Sequence, residues 1–379
     1  MNKRIIGAFL LAAALCSGPA RAAQNVANTS QKGSLLIFPL INVDPENASD
    51  TFIEISNDNI TPVHVECFYV NEQKGRVDFD FTLTPKQTLS WEVLNGAGNG
   101  FVSAPPFPFG GNYPTLGTDR RGELICFAVD AGSANQIAFN HLTGTATVVD
   151  LFDDDAAQVQ QAFRYNAWAF AARGTGPGGL ALDNTIQGTP GKLNLTGGGA
   201  GTYDSCPAYN IANFMPNGAS LGPSGYTLTT LDNDLATSSC NQDLRQDFIL
   251  NLTKLQFTVW NEIENSFTGA FRCVDSTDFT GLSSQDPPSP VNASNFDYST
   301  LRTPNARFQV QGVGSTQCPG SRPAGLLGVL TSSVSLLQPP SSTPETNELG
   351  STTFGAGNQA GFVLWDAGPA GPPPARPTR

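Results

Sequence analysis

The sequence predicts an all-β protein with two tandem antiparallel β-sandwich-like modules, a long Gly/Ser/Asn-rich insertion between them and at most one short helix. Turn-forming residues are frequent, since 39 glycines and 28 prolines make up about 18% of the 379 residues, against roughly 12% in average proteins. Segments of alternating hydrophobicity recur roughly every 10 to 15 residues, close to the spacing typical of sandwiches and barrels. Only 14% of residues are charged, which excludes a coiled coil or a long-helix bundle.

The first 22 residues are typical of a secretory signal peptide. A basic start at Lys3 is followed by an apolar stretch over residues 5–15 and a small-x-small cleavage site at residues 20–22. We therefore expect the mature chain to begin at Ala23. Lipoprotein processing at Cys16 is the alternative, although Leu15 is larger than the residue that such signals carry at that position. No later apolar run approaches the 18 or so residues that a membrane-spanning helix needs.

The charge balance restricts the partners of the chain. The formal net charge is −12, and loss of the signal peptide with its three basic residues would move it to −15. Nucleic-acid binding requires clustered Lys and Arg to neutralise phosphates, and the sequence has no such cluster. We therefore expect no nucleic-acid partner and no attraction to an anionic membrane surface.

Six cysteines remain after cleavage of the signal peptide, and they predict three disulfides in an oxidising compartment. Six cysteines allow 15 pairings, of which sequential pairing best fits the segmental layout of the chain. No CxxC spacing occurs, so a structural zinc site is not indicated. The predicted pairs are Cys67 with Cys126, Cys206 with Cys240 and Cys273 with Cys318.

The first predicted module covers residues 23–172. In residues 63–70, Val63, Val65 and Cys67 fall on one face while His64 and Glu66 fall on the other, which is the period of a β-strand. The predicted strands are residues 34–41, 51–56, 63–70, 78–83, 88–94, 124–129 and 137–151.

Residues 153–173 are the only candidate helix, and we expect a short helix that runs into a strand. Acidic residues at its start would be stabilised by the helix dipole, and apolar residues recur at helical spacing. Calcium is the one cofactor that the sequence leaves open, because these carboxylates could supply oxygen ligands to an irregular site. The candidate ligands are Asp150, Asp153, Asp154 and Asp155.

The composition of the remaining residues, 173–379, divides them into three segments. Residues 173–247 are rich in Gly, Ser, Thr and Asn and predict an insertion stapled by the Cys206–Cys240 disulfide. Alternating segments return over residues 248–366 and predict a second β module. Residues 367–379 predict a disordered Pro-rich tail.

No coherent set of catalytic residues emerges, so we nominate none. Residues 218–222 match the GxSxG pattern, but prolines flank the match and both histidines, His64 and His141, precede Ser220. No nucleotide-binding fingerprint occurs. The tryptophans could stack on sugars, although a β core ordinarily contains one in each such region. They are Trp91, Trp168, Trp260 and Trp365.

Four runs in the first predicted module resemble those of uncharacterised secreted bacterial proteins. The resemblance covers mainly residues 32–172 and implies export and a β-rich module, without implying catalytic residues, a cofactor or an activity. The runs are KGSLLIFP at residues 32–39, GELICFAVD at 122–130, NHLTGTATV at 140–148 and YNAWAF at 165–170.

Together these features predict a non-enzymatic β protein that is secreted to the periplasm, cell surface or medium and acts by binding, adhesion or extracellular assembly. The alternative is a secreted hydrolase or binding module that acts on extracellular polysaccharide. Expected partners are further copies of the chain, other extracellular proteins or polysaccharide. Residues 34–41 could add a strand to a neighbouring copy by edge pairing, or fill a position in their own sheet.

Overall fold

The computed structural model describes residues 25–44, 49–72, 75–96, 98, 104–105, 120–154, 157–221, 226–240, 252–275, 277–285, 294–337 and 363–364. Its secondary structure is almost entirely antiparallel β, which confirms the predicted fold class. The one α-helix in these ranges, α1, is the single turn Tyr298–Leu301. No helix among the described residues is long and apolar enough to cross a membrane. The predicted signal peptide and the predicted C-terminal tail lie outside the described residues.

The first sandwich has a larger sheet of seven strands. Its main path runs β10-β1-β6-β3-β4, while β7 pairs with β6 and β12 pairs with β7. The strands are β1 (Leu35–Asn42), β3 (Val63–Asn71), β4 (Arg76–Leu83), β6 (Arg121–Val129), β7 (Gln136–Ile137), β10 (Trp168–Phe170) and β12 (Ile186–Gly188).

Strand β1 occupies an interior position of this sheet. Leu35 lies opposite Phe170 of β10 on one side and Phe127 of β6 on the other, and all eight residues of the strand are buried. The continuous apolar run therefore reflects burial of both faces of the strand. Of the two alternatives for residues 34–41, the strand fills a position in its own sheet: Leu35–Ile37 pair with β10 on one side, and β6 pairs along the other. This position does not support edge pairing with a neighbouring copy.

In the smaller sheet of the first sandwich, strands occupy the region that was predicted to contain a helix, so that prediction was wrong. Its strand order is β5-β2-β8-β9, and β8 and β9 form a long hairpin through the region where a helix was expected. Phe163 and Tyr165 are buried while Arg164 is exposed, so the period is two. The strands are β2 (Asp50–Asn57), β5 (Thr88–Glu92), β8 (Leu142–Asp154) and β9 (Ala157–Asn166).

Apolar side chains from both sheets fill the core of the first sandwich. Cys67 of β3 lies directly opposite Cys126 of β6, and their disulfide is fully buried. Trp91 donates a hydrogen bond of 2.6 Å from Nε1 to the hydroxyl of Tyr69 and packs edge-on against Phe81. The polar atom of the largest core side chain is thereby satisfied inside the sandwich.

The Gly-rich stretch over residues 173–247 belongs to both sandwiches. Its first part covers the outer face of the larger sheet, where Leu193, Leu195 and Tyr203 belong to the same buried cluster as Phe127. Strand β11 (Ala172–Arg173) pairs with β13 (Thr202–Tyr203) within this cover. Its second part supplies strands to the second sandwich, which begins with β14 (Tyr209–Phe214) instead of near residue 248.

The second sandwich packs two sheets around a phenylalanine cluster. Phe257, Phe296 and Phe308 contact one another at centroid distances of 5.4–6.0 Å. One sheet has the order β18-β17-β20-β14-β22, and in the other β16 pairs with β15, β19 and β21. The remaining strands are β15 (Ser220–Leu221), β16 (Tyr226–Ser239), β17 (Leu252–Asn261), β18 (Ser266–Asp275), β19 (Thr277–Gly281), β20 (Ala306–Val313), β21 (Leu326–Leu337) and β22 (Val363–Leu364).

The two sandwiches share buried contacts. Trp168 donates a hydrogen bond of 3.2 Å from Nε1 to the carbonyl oxygen of Gly328, and the hydroxyl of Ser238 donates to the buried carboxylate of Glu123. The guanidinium of Arg121 stacks 4.6 Å from the ring centroid of Phe279. These contacts fix the orientation of one sandwich relative to the other.

Candidate functional site

A polar groove of about 500 Å³ lies between an N-terminal arm, residues 29–32, and the outer face of the smaller sheet. The sheet forms its floor because alternation along β2 buries Ile53 and Ile55 and turns Glu54 outward. The groove is lined by Thr29, Ser30, Gln31, Lys32, Glu54, Ser56, Thr88, Thr143, Gly144, Thr145, Arg164, Asn166, Ala167 and Ala169.

A buried ion pair anchors the arm that forms one wall of the groove. The Gln31 side chain donates from Nε2 to the carbonyl oxygen of Ala169 at 2.7 Å and to Oδ2 of Asp204 at 2.8 Å. Asp204 is fully buried and accepts a hydrogen bond of 2.5 Å from Nε of Arg173. All residues of this anchor lie in the first sandwich or in the segment that covers its larger sheet. The arm that forms this wall of the groove is therefore part of the folded domain.

The charged centre of the groove is formed by three residues on three neighbouring strands. Oε2 of Glu54 accepts a hydrogen bond of 2.8 Å from the Thr145 hydroxyl and is ion-paired with Arg164. The Arg164 guanidinium also donates to the Thr145 hydroxyl at 3.1 Å. Since the side chains of Arg164 and Glu54 are 56% and 40% exposed, solvent screens the pair, which contributes at most about 1 kcal/mol to stability. Its main effect is to neutralise the carboxylate.

Neutral hydrogen-bonding groups make up most of the remaining lining. Ser56 and Thr88 share a hydrogen bond of 2.7 Å between their hydroxyls, and Asn166 donates from Nδ2 to the carbonyl oxygen of Thr29 at 3.3 Å. Among the described residues of the lining there is no aromatic ring, and Glu54 is the only carboxylate. The groove is therefore equipped to exchange hydrogen bonds with a polar ligand.

One rim of the groove carries a charged cluster. Lys32 and Lys86 both pair with the carboxylate of Asp58, and Lys86 lies 2.8 Å from Oδ1. Hydrogen bonds from the two lysines, with that from Lys32 the larger contribution, lower the pKa of Asp58 to about 2. The rim carboxylate therefore stays ionised throughout the ordinary pH range.

All six predicted disulfide cysteines are paired in the structure, in sequential order. The Cα atoms of the pairs are 4.1, 6.5 and 5.6 Å apart, within or close to the range usual for disulfides. The pairs are Cys67–Cys126, Cys206–Cys240 and Cys273–Cys318.

Three of the four calcium candidates lie on a strand of the β8–β9 hairpin, where the sequence predicted the start of a helix. Asp150, Asp153 and Asp154 belong to strand β8, whereas Asp155 lies outside the described residues. Among the described residues, no group of three or more His, Cys, Asp or Glu side chains is arranged to hold a metal ion. Calcium binding stays a prediction of the sequence alone.

The other candidate chemical groups are dispersed. His64 bonds to Thr82 and lies 3.1 Å from Asp80, while His141 lies 3.2 Å from Asp183. Each histidine therefore has its own local partner. Ser220 of the GxSxG match pairs with Thr227 in a strand hairpin, where a nucleophile elbow would have a helix after the turn.

The tryptophans differ in exposure. Trp91 and Trp168 are fully buried, and Trp260 on β17 is partly exposed on the outer face of the second sandwich. Trp365 lies outside the described residues. Trp260 is thus the one described tryptophan that a ligand can reach.

The sequence pattern alone does not reveal the polar groove. Alternation along β2 and β9 could have marked Glu54 and Arg164 as outward-facing, but these residues are 110 positions apart in the chain. Only the pairing of β8 with both strands brings them together around Thr145.

Comparisons with known proteins do not identify a family. No protein-family model matches the chain. No curated protein matches it significantly. The solved structure of Thermotoga maritima 1070 aligns with 36% of this chain and 95% of its own length, at 8% sequence identity and a TM-score of 0.23. A likeness at that score carries no argument about fold or function.

Proposed function

We propose that this protein is an exported, non-enzymatic β protein that binds polysaccharide through the polar groove. The observation that carries the proposal is the lining, in which hydroxyl and amide side chains surround a single, neutralised carboxylate. Sugars present many hydroxyl groups that both donate and accept hydrogen bonds, and this lining offers the matching groups. The three disulfides support an oxidising destination such as the periplasm or the cell exterior.

The same lining argues against hydrolysis in this groove. Glycoside hydrolysis ordinarily uses two carboxylates on either side of the scissile bond, one as an acid and one as a base or nucleophile. Here Glu54 is the only carboxylate among the described lining residues, and its oxygen is engaged by Thr145 and Arg164. The rim carboxylate of Asp58 is likewise engaged, by Lys32 and Lys86. Binding without bond cleavage is the function that this arrangement supports.

The test uses the mature chain, residues 23–379, against a panel of neutral polysaccharides that includes dextran, amylose and xylan. Thr143→Val replaces a groove hydroxyl by a methyl group of the same shape and preserves strand propensity. Loss of one neutral hydrogen bond predicts binding that is about 2- to 10-fold weaker. Thr82→Val, on the exposed face of β4, is the matched control and should bind as the wild type does.

Three results would contradict the proposal. The first is absence of binding to every polysaccharide in the panel by the folded wild-type chain. The second is release of reducing ends during incubation, because that would identify a hydrolase. The third is equal weakening by Thr143→Val and Thr82→Val, because that would place the binding site outside the groove.

A further inference from the structure

The second sandwich presents a polar face that the groove does not use. Along β17, Leu255, Phe257 and Val259 point into the core. The alternate positions lie on the outer face, which we call the amide face. On β17 these are Lys254, Gln256, Thr258 and Trp260.

The strand register sets these side chains in rows across four strands. Gln256 lies opposite Phe271 on β18 and Gln311 on β20, and Gln311 lies opposite Tyr209 on β14. This row therefore has an aromatic ring at each end and two amides between them. A neighbouring row places Thr258 opposite Gln309. Cross-strand neighbours lie about 5 Å apart, so one extended ligand can contact several of these groups.

Two cations lie at opposite ends of the amide face, each against an aromatic ring. The guanidinium carbon of Arg307 is 5.0 Å from the ring centroid of Trp260, and Nζ of Lys254 is 4.7 Å from that of Phe271. Lys254 also donates a hydrogen bond of 2.5 Å to the Gln317 side chain. Six residues of strand separate the two ends, which corresponds to about 20 Å.

The cations are not accompanied by carboxylates within these rows. In the described residues paired across β17 between Lys254 and Trp260, every polar side chain is an amide, a hydroxyl or a base. The next carboxylates lie just outside these rows: Glu262 in the turn after β17 accepts a hydrogen bond from Asn305, and Asp275 lies opposite Leu252 at the end of β18. Within the rows themselves, on a chain of formal net charge −12, the charged side chains of the amide face are the two bases.

We propose that the amide face is a second binding site, specific for an acidic polysaccharide. The charge of the ligand follows from complementarity to Arg307 and Lys254. Its extended form follows from their separation, because a small anion would reach only one of them. The amides and hydroxyls between the cations match sugar hydroxyls, whereas a nucleic acid would place a phosphate against nearly every row.

The amide face does not depend on the polar groove. The groove is built on strands of the first sandwich, and the amide face on β14, β17, β18 and β20 of the second. Because the inter-sandwich contacts hold both at a fixed relative orientation, one molecule can bind a neutral and an acidic polysaccharide at the same time. In a matrix that contains both polymers, such bivalency raises avidity when the geometry permits simultaneous contact.

The experiment measures binding of the mature chain to polygalacturonate, with dextran as the neutral polymer and single-stranded DNA as a second polyanion. The double variant Arg307→Gln and Lys254→Gln should bind polygalacturonate at least about tenfold more weakly, with a smaller dependence on salt. The matched control is Lys192→Gln with Arg302→Gln, which removes the same charge from exposed positions outside the face. It should bind as the wild type does.

The groove variant Thr143→Val separates the two proposals, since it should leave polygalacturonate binding unchanged. If no neutral polysaccharide of the panel bound at the groove, we would therefore still expect polygalacturonate to bind at the amide face. Four outcomes would overturn the second site: no binding of polygalacturonate by the wild-type chain, a loss of dextran binding in the test double variant as large as its loss of polygalacturonate binding, tighter binding of DNA, or equal losses of polygalacturonate binding in the test and control double variants.

Discussion

Cys67 and Cys126 lie directly opposite each other on adjacent strands, with their Cα atoms 4.1 Å apart and both side chains fully buried. Their disulfide closes a separation of 59 residues, whereas the Cys273–Cys318 disulfide closes 45 and has one exposed end. The Cys67–Cys126 disulfide therefore closes a long loop and also lies in the core of the first sandwich.

Replacing both Cys67 and Cys126 by Ala should lower the free energy of unfolding by about 4 kcal/mol, because the unfolded chain regains the entropy of a long open loop. Urea unfolding followed by tryptophan fluorescence measures the loss. The same double change at Cys273 and Cys318 is the comparison. A larger loss there than at the core bridge would contradict this account of the first sandwich.

The Trp91–Tyr69 hydrogen bond should couple the two side chains energetically. In a double-mutant cycle of Trp91→Phe and Tyr69→Phe, we expect a coupling free energy of about 1 kcal/mol, since the 2.6 Å bond lies within the core. Chemical unfolding of the four proteins provides the cycle. Strict additivity of the two single changes would show that the bond contributes nothing to stability.

Stability should depend on pH through Asp50 at the start of β2. Burial raises the pKa of this carboxyl to about 6, above the value of about 4 for an unfolded aspartate. The folded state thus binds the proton more tightly, and the contribution of Asp50 to stability decreases as pH rises from about 4 to about 6. Hydrogen bonds from the amides of Thr51 and Leu94 partly offset the cost of burying the charge.

The variant Asp50→Asn cannot ionise, so it should gain stability relative to the wild type between pH 4 and pH 7, by at most about 2 kcal/mol after solvent screening. Unfolding free energies of both proteins at the two pH values test this expectation. A constant difference between them, or a difference that favours the wild type at pH 7, would contradict the raised pKa.

Gly144 on β8 should not tolerate a larger side chain. A Cβ atom at this position would lie 2.6 Å from Cζ of Phe38, which is fully buried in the first sandwich. Gly144→Ala should therefore destabilise the protein by about 1–3 kcal/mol through overpacking. Gly132→Ala, in an exposed turn with no contact closer than 3.4 Å, is the control and should change thermal stability little. Equal melting temperatures for the two variants would contradict this packing.

The sequence predicted the all-β class and the sequential cysteine order because both depend on local pattern. The helix prediction at residues 153–173 was wrong since Phe163 and Tyr165 satisfy strand alternation, while apolar residues at other spacings there also suggested a helical stripe. Strand β16 was assigned to an insertion because its many hydroxyl and amide residues do not resemble a core strand. Its longest pairing, over 12 residue pairs, is with β21, about 100 residues later in the chain.

The polar groove and the amide face could not be predicted from the sequence, for a related reason. Glu54 and Thr145 are 91 positions apart, and only the β2–β8 register places them together. On the amide face, Gln256 and Gln311 become neighbours only through the β17–β20 register. Local alternation indicates which side chains face outward, and long-range strand pairing decides which of them meet.

Hydrogen exchange read by mass spectrometry tests the groove most directly, with the mature wild-type chain measured alone and with the neutral polysaccharide that it binds best. We expect slower exchange in β2, β8, β9 and the arm at residues 29–32, with the polysaccharide recovered at its original length. Protection confined to other strands, or a shortened polysaccharide, would contradict a non-enzymatic binding function at the polar groove.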